Sequence, residues 1–341
     1  MTSFSIRYGR YHHLLDAAIR RPVPSSTMSK GLVSSVTSSD VTPDKLHFPV
    51  IRTLSAEDLK NCAALSVDRG WWPERGKWAL LLDESDAWGI DAPDGDGLAG
   101  SVVLTRWGAK YGAIGMMLIA SRYGGRGLGR SLMEHALRAA GDDAAISLYA
   151  TGSGRPLYDK LGFQPVRRSI AFRGQFRAGE AGGKKREARA PADSQAATPG
   201  DVRVATEADL AAILTLDRAA YGADRERMLA RLPGFADRIV VFEASEGIVG
   251  YAAGWRTEPY TVVGPLVAPD GEAAKRLVTD LAAHSVTAVR LDIDPDRPEL
   301  PAWARAHGLE PTERTVFMTR GDLAPRGIPE HVYTPISVAM A

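Results

Sequence analysis

A glycine-rich segment is the part of this chain best suited to bind an anion. Glycines stand at positions 124, 125, 127 and 129, between an apolar run at 114–120 and a helical pattern at 127–140. Glycine lets a backbone approach a ligand closely, and the first N–H groups of a helix have no intrahelical partner. The segment therefore predicts a phosphate-binding loop, and a pyrophosphate is the anion that we expect there.

Two common nucleotide-binding motifs do not fit this segment. A Walker loop ends in Gly-Lys-Ser/Thr, whereas this segment ends in Leu128-Gly129-Arg130. The dinucleotide-binding motif G-x-G-x-x-G would need a third glycine at position 132, where this chain has leucine. The spacing argues against both motifs.

A second motif, Leu157-Tyr158-Asp159-Lys160-Leu161-Gly162-Phe163, follows about 30 residues later. The two segments, in this order, resemble the GNAT family of N-acetyltransferases, whose signatures are Arg/Gln-x-x-Gly-x-Gly/Ala and Leu-Tyr-x-Lys-x-Gly-Phe. Two registers of the first signature are open: residues 122–127 keep the leading arginine, whereas residues 124–129 put glycine in its place. We prefer the second, because it keeps the usual distance between the strand and the helix.

The resemblance implies acetyl-CoA as co-substrate. Backbone groups of the loop would bind its pyrophosphate, and the end of the preceding strand would hold the pantetheine. The implied cofactor-binding residues are Leu118, Ile119, Ala120, Gly124, Gly125, Arg126, Gly127, Leu128, Gly129 and Arg130.

The resemblance also implies that Tyr158 protonates the leaving thiolate. A phenol with a pKa near 10 is protonated at neutral pH and can donate a proton. Many relatives carry a glutamate on the fourth strand that acts as the general base, but residues 111–120 contain no carboxylate. Glu84 and Asp86 are the candidate bases that remain; each is also explained as a solvated loop acid, and a water chain would remove the need for either.

Composition limits the remaining classes of function. The formal net charge of the 341 residues is +1, so we expect neither nucleic acid nor a membrane surface as a partner. Cys62 is the single cysteine, and its position in a helical pattern indicates a buried apolar residue rather than a reactive thiol. No set of ligands has metal-binding spacing, and we expect no metal. We expect a cytoplasmic protein and allow for a homodimer.

The resemblance implies an α/β chain (three-layer α+β) with two tandem GNAT-like domains, each a mixed, mostly antiparallel sheet flanked by helices, and periodicity places the elements. The expected division is an N-terminal extension, disordered or mis-started, at 1–46; a GNAT acetyltransferase domain at 47–176; a linker at 177–200; a degenerate GNAT-like domain at 201–321; and a tail at 322–341. In the first domain, strands are expected at 48–54, 88–92, 98–107, 111–120, 145–150 and 164–172, and helices at 59–67, 73–82, 127–140 and 155–161.

The second domain repeats the first in its sequence. Arg203 to Leu210 repeats Arg52 to Leu59, and Gly308 corresponds to Gly162, 146 positions earlier. That offset carries the loop glycines onto Asp270, Gly271, Ala273 and Lys275, and Tyr158 onto Ala304. We therefore expect the second domain to keep the fold but to lack the phosphate-binding loop and a counterpart of Tyr158. We also expect it to cover the sheet edge of the first domain.

The leading hypothesis is an acetyl-CoA-dependent N-acetyltransferase that moves an acetyl group to a primary amine of a small molecule by direct attack. Asp83, Glu84 and Asp86 would suit a cationic amine. The alternative is a non-catalytic acyl-CoA sensor or interaction protein, which the missing carboxylate at 111–120 keeps open. The presence of Tyr158 together with the phosphate-binding loop favours the enzyme over the sensor.

Overall fold

The computed structural model of the protein describes residues 50–178, 198–297, 299–322 and 327–340. The predicted extension at 1–46 and most of the predicted linker lie outside this range. The strands of the first half are β1 Arg52–Thr53, β2 Asp86–Asp91, β3 Leu98–Trp107, β4 Tyr111–Ile119, β5 Ala145–Ala150 and β6 Gln164–Gly174. Its helices are α1 Leu59–Asp68, α2 Arg75–Glu84, α3 Leu128–Ala140 and α4 Arg155–Lys160.

The second half repeats this order of elements. Its strands are β7 Asp201–Val204, β8 Arg238–Ala244, β9 Gly247–Thr257, β10 Tyr260–Val267, β11 Ala288–Ile293, β12 Glu310–Arg320 and β13 Val332–Thr334. Its helices are α5 Leu210–Tyr221, α6 Glu226–Leu229, α7 Leu232–Phe235, α8 Gly271–Ala283 and α9 Glu299–Ala306. Two short helices, α6 and α7, take the place of α2.

The predicted elements are present, with shifts at their ends. The strand expected at 48–54 is limited to β1 in the described residues. The helix expected at 73–82 begins at Arg75, because Glu74 has a left-handed backbone (φ 43°) that cannot continue a right-handed helix. The segment expected as a tail contributes β13, and its Ile336 and Met340 side chains are buried.

The two halves share one continuous sheet. Its strand order is β1-β2-β3-β4-β5-β12-β6-β11-β10-β9-β8-β7, and β13 pairs with β10. Strands β6 and β12 each lie in the part of the sheet that the other half builds: β12 pairs antiparallel with β5, and β6 pairs antiparallel with β11. The second half thus covers the sheet edge of the first at β5, as the sequence predicted, but it does so by an exchange of strands.

Helix α3 shows how the apolar pattern builds the core. Leu132, Met133 and Ala136 recur at helical spacing, are fully buried, and belong to the core cluster of the first half. Each large apolar side chain buried in this way contributes about 1.5–3 kcal/mol. Helix α8 buries Leu277, Val278 and Leu281 in the second half in the same manner.

The repeated sequence at the start of each half forms the same ion pair twice. Arg52 donates to both carboxylate oxygens of Asp58, and Arg203 does so to Asp209. Each aspartate also accepts the backbone N–H three residues before it, which closes a capping box. The hydrogen bonds from the arginines hold the pKa of both aspartates below the usual range. These contacts explain why the motif occurs twice.

Candidate functional site

A cleft opens in the first half where β4 separates from β5. The two strands pair in parallel only between Tyr111–Ile114 and Ala145–Leu148. Beyond Ile114, β4 bulges at Met116, which has a φ of 46°, and its register with β3 shifts. The Ser101 hydroxyl donates to the Met116 carbonyl at 2.9 Å and stabilises the bulge. On the β5 side, residues 115–119 have no strand partner in the described part of the chain.

The glycine loop lies at the end of this cleft. Gly125 and Gly127 have φ values of 75° and 82°, and a Cβ placed on either would meet no atom within 4 Å. The loop backbone is therefore open on its outer side. The hydrogen bond from Ser131 N to Gly127 O is the first that closes a turn of α3. The three preceding N–H groups, on Leu128, Gly129 and Arg130, stand at the helix N-terminus, as a cradle for a pyrophosphate requires.

The loop is anchored to its surroundings on the strand side. The Ser121 amide and hydroxyl both donate to Asp68 of α1. Arg122 pairs with Asp94 and Asp96 in the β2–β3 turn, and the Tyr123 hydroxyl donates to Asp94 at 2.6 Å. Since Arg122 faces this turn, the geometry agrees with the register that starts at Gly124.

Gly129 serves the packing of α3 rather than a turn. A Cβ placed on it would lie 3.3 Å from Met117 Cε and 3.5 Å from Leu157 Cδ2. The missing side chain lets the first turn of α3 lie close to β4 and α4. The structure thus brings together the predicted segments 118–120 and 124–130 at one end of the cleft.

Tyr158 lies on α4 and is buried, at 7% exposure. Its ring packs edge-on against Phe163, and a Cβ on Gly154 would come within 2.9 Å of the ring, so the absence of a side chain there makes room for it. Burial raises the pKa of Tyr158 to about 12. The phenol is therefore protonated at neutral pH, and its hydroxyl has no hydrogen-bond partner among the residues that the structure describes.

The two acids proposed as bases are both paired with arginines. Glu84 ends α2, its side chain is 3% exposed, and Arg227 and Arg231 of the second half each donate to one of its oxygens. Asp86 begins β2, is half exposed, and pairs with Arg106 at 2.8 Å. It lies two strands away from the β4–β5 cleft. These contacts favour structural roles, contrary to the expectation for Glu84 and Asp86, and neither is placed at the cleft.

The second half carries a carboxylate at the position of the cradle. Helices α3 and α8 correspond at an offset of 143, which puts Asp270 on Gly127; the offset of 146 holds from the ends of α4 and α9, which Gly162 and Gly308 follow, into β6 and β12. The Asp270 side chain accepts the N–H of Ala273 at 2.8 Å and that of Thr198 at 2.7 Å. Burial opposes its ionisation, but these hydrogen bonds outweigh that effect and lower its pKa. An internal anion thus caps α8.

The second cleft is also filled. Strand β10 pairs with β11 over Tyr260–Val263, and beyond this point β13 pairs with β10 instead. The Thr334 hydroxyl donates to the Val263 carbonyl at 3.0 Å. Ala304, which corresponds to Tyr158, is fully buried in α9. The second half keeps the fold without a cradle, an open cleft or the phenol.

The same C-terminal segment, residues 327–340, continues to the first half. The Pro335 carbonyl lies against Gly264 of β10, and the Ala339 carbonyl lies against Gly115 of β4. A Cβ on Gly115 would be 1.9 Å from that oxygen, so only glycine fits. Sequence analysis missed this segment, because its partners lie about 70 and 220 positions earlier in the chain; the apolar residues at 332, 333 and 336 were its signal.

Three further observations concern other kinds of site. Cys62 is fully buried, as predicted, and burial raises the pKa of its thiol to about 12. Within the described ranges, no group of three or more His, Cys, Asp or Glu side chains is arranged to hold a metal ion. None of the helices described is both long enough and apolar enough to cross a bilayer.

Comparison with protein families matches each half separately. Residues 55–163 match the model described as "Acetyltransferase (GNAT) family", and residues 213–334 match the one described as "Acetyltransferase (GNAT) domain". Among curated proteins, the chain is 26% identical over 235 residues to YitH of Bacillus subtilis, described as an uncharacterized N-acetyltransferase. This alignment covers 67% of the chain and 77% of YitH.

Solved structures share the fold of both halves. A putative acetyltransferase from Pyrococcus horikoshii superposes with a TM-score of 0.68 at 16% identity, over 86% of this chain and 95% of that one. A tandem GNAT protein from the clavulanic acid biosynthesis pathway superposes with a TM-score of 0.54 at 16% identity, over 80% of this chain and 98% of its own. At these identities the likeness concerns the fold alone.

Proposed function

We propose that this chain, which belongs to the GNAT acetyltransferases and carries two of their domains in tandem, transfers an acetyl group from acetyl-CoA to the primary amine of a small molecule. The observation that carries the proposal is the cleft of the first half. There, an open glycine cradle at a helix N-terminus and a buried, protonated tyrosine belong to the same domain.

The residues present fit acetyl-CoA. Gly125 and Gly127 leave the outer face of the loop open, and the first N–H groups of α3 would bind the pyrophosphate by hydrogen bonds and through the helix dipole. The β4 backbone at 115–119, which lacks a strand partner on the β5 side, would bind the pantetheine amides. When bound, acetyl-CoA supplies the activated thioester.

The chain's own chemistry is proton transfer at the leaving group. The phenol of Tyr158 keeps its proton at any physiological pH, because burial raises its pKa to about 12. A thiolate is a stronger base than a thiol ester, so the proton moves only as the carbon–sulfur bond breaks. Glu84 is engaged by two arginines, and we propose that the attacking amine loses its proton to water or arrives neutral.

The second half has an architectural role in this proposal. Asp270 caps the N-terminus of α8, where a phosphate would otherwise bind, and β13 fills the cleft of the second half. One acetyl-CoA per chain is therefore expected. A non-catalytic acyl-CoA sensor remains the second candidate, supported by the absence of an acid on β4.

The test combines acetyl-CoA calorimetry with a thiol-release assay over a panel of amines. We expect a stoichiometry of one and turnover that Tyr158→Phe lowers roughly 10²-fold or more, with little change in acetyl-CoA affinity. Tyr260→Phe, the same change at the start of β10, is the matched control and keeps wild-type turnover. Binding without turnover on any amine would favour the sensor, and no binding would contradict both functions.

A further inference from the structure

The acids expected to attract a cationic amine are all neutralised by arginines. Arg231 contacts both Asp83 and Glu84, and Arg227 contacts Glu84 as well. Asp86 pairs with Arg106. The acidic residues near α2 therefore hold the two halves and neighbouring strands together. They leave little unpaired negative charge to select a cationic acceptor.

A pocket of the opposite character lies beside the open cleft. Tyr149, on β5, follows Leu148, the last residue that pairs with β4. Because successive strand residues point to opposite faces, Tyr149 faces away from Leu148. Thr334 and Pro335 of the C-terminal segment line the same pocket, and five residues later this segment reaches Gly115 at the other edge of the cleft. The pocket is therefore next to the place where β4 and β5 separate.

Arg167 is a cation of this pocket that forms no salt bridge within the described residues. Its guanidinium lies 4.5 Å from the centre of the Phe317 ring and interacts with the Tyr149 side chain. Among the residues described, it has no carboxylate partner within 4 Å, in contrast to Arg168, which pairs with Asp296. A guanidinium held in this way keeps donors in a fork that matches a carboxylate or a phosphate.

The other charges of the pocket have partners. Arg297 donates to the carbonyls of Pro329 and Glu330 and stacks on Tyr333. Asp292 is buried, and its Oδ1 accepts hydrogen bonds from Nε and Nη2 of Arg290. Asp294 accepts the backbone N–H of Asp296 and attracts Arg167 electrostatically without forming a salt bridge with it. Among the described arginines of the pocket, Arg167 thus forms neither a salt bridge nor a hydrogen bond to a backbone carbonyl, and its guanidinium interacts with Tyr149.

We propose that Arg167, with Tyr149, binds an anionic group of the acceptor, so that the substrate is a small molecule carrying an amine and a carboxylate or phosphate. The proposal rests on the proposed acetyl transfer and names its substrate class. The C-terminal segment bounds the site, because Ile336 and Met340 are buried in the core of the first half and the Ala339 carbonyl touches Gly115.

The experiment compares acceptors that differ only in the anionic group, on the full chain with acetyl-CoA. Phenylalanine is paired with phenethylamine for the carboxylate, and O-phosphoethanolamine with ethanolamine for the phosphate. We expect one of the acceptors that carry an anionic group to exceed its partner without that group in kcat/KM by about tenfold or more, as is usual for a charge-assisted hydrogen bond. Which pair shows the preference identifies the anion.

Variants connect the preference to Arg167. Arg167→Gln is expected to bring the ratio within each pair close to one, and Arg167→Lys to restore part of it. Arg314→Gln removes the same charge from an exposed position on the neighbouring strand β12 and is expected to leave the ratio unchanged. A ratio that favours the amine without the anionic group in the wild type, or one that Arg167→Gln does not alter, would overturn the proposal.

A binding measurement separates this proposal from the one on which it rests. Calorimetry with acetyl-CoA alone reports on the acetyl donor, and its failure would contradict acetyl transfer. Calorimetry of N-acetylphenylalanine and N-acetylphenethylamine on the CoA-bound chain reports on the anion site without turnover. Tighter binding of the carboxylate that Arg167→Gln abolishes supports the site, whereas equal binding of both overturns it.

Discussion

At the scale of single residues, the partners of a charged side chain decide its role. Glu84 has the residue type of a general base, but Arg227 and Arg231 hold its two oxygens, and both arginines come from the other half of the chain. Both oxygens of this carboxylate are therefore occupied by guanidinium donors, which favours a structural role. Tyr158 differs, since its hydroxyl has no partner in the described part of the chain, and burial keeps it protonated.

Glu84→Gln tests this assignment. We expect it to lower the free energy of unfolding by roughly 1–2 kcal/mol, because two charge-assisted hydrogen bonds weaken at a nearly fully buried position. Thermal unfolding measures this change, and Asp83→Asn is the matched control, since Asp83 is exposed and pairs with Arg231 alone. The pH profile of kcat is expected to keep its shape in Glu84→Gln; loss of its acidic limb would identify Glu84 as the base.

At the scale of elements, the strand–loop–helix unit formed by β4, the glycine loop and α3 builds the cradle. The bulge at Met116 turns β4 away from β5, and positive φ values at Gly125 and Gly127 bring the backbone into the first turn of α3. Gly129 lets the helix approach β4. The corresponding unit in the second half has Asp270 at the helix start and β13 beside β10, so the same architecture lacks the open surface.

Gly127→Ala tests the cradle. The new methyl group would enter the open face of the loop, and its φ of 82° is unfavourable for alanine by roughly 1–2 kcal/mol. We expect the Kd for acetyl-CoA to rise about tenfold or more, measured by calorimetry. Gly141→Ala, at the other end of α3, also has a positive φ and open space, and it should lower stability without changing this Kd. Equal affinity in the wild type and Gly127→Ala would contradict the cradle.

At the scale of the whole molecule, the exchange of β6 and β12 joins the halves more firmly than surface contact would. Strand β12 lies between β5 and β6, so one strand of the second half is hydrogen-bonded on both sides to the first. The C-terminal segment crosses in the same direction, from Gly264 to Gly115. Either half alone would expose unpaired strand edges, which favour aggregation.

A chain cut at an engineered protease site between residues 179 and 197 tests the exchange. We expect the two fragments to elute together in gel filtration at the mass of the intact chain, because β5, β6, β11 and β12 remain paired. Denaturing electrophoresis confirms the cut, and gel filtration in strong denaturant is the control that separates the fragments. Separate elution without denaturant would show that the halves do not depend on the exchanged strands.

The sequence alone determined the features that depend on neighbouring residues. Helical and strand periods predicted the elements of the first half, four glycines within six residues predicted the loop, and the repeat of Arg52 to Leu59 at Arg203 to Leu210 predicted the second domain. These signals are local, because turn geometry and capping depend on residues a few positions apart. Their order along the chain was enough to indicate the family.

Only the tertiary structure decided which half each strand and charge serves. Strands β6 and β12 would have the same residue pattern whether or not they were exchanged. The sequence of the C-terminal segment likewise does not indicate that this segment fills one cleft and borders the other. In the sequence, Glu84 and Arg167 are both charged residues without a visible partner. In the structure Glu84 is paired with two arginines, whereas Arg167 has no carboxylate partner within the described residues. These outcomes depend on contacts between residues about 70 to 220 positions apart, which periodicity and spacing do not encode.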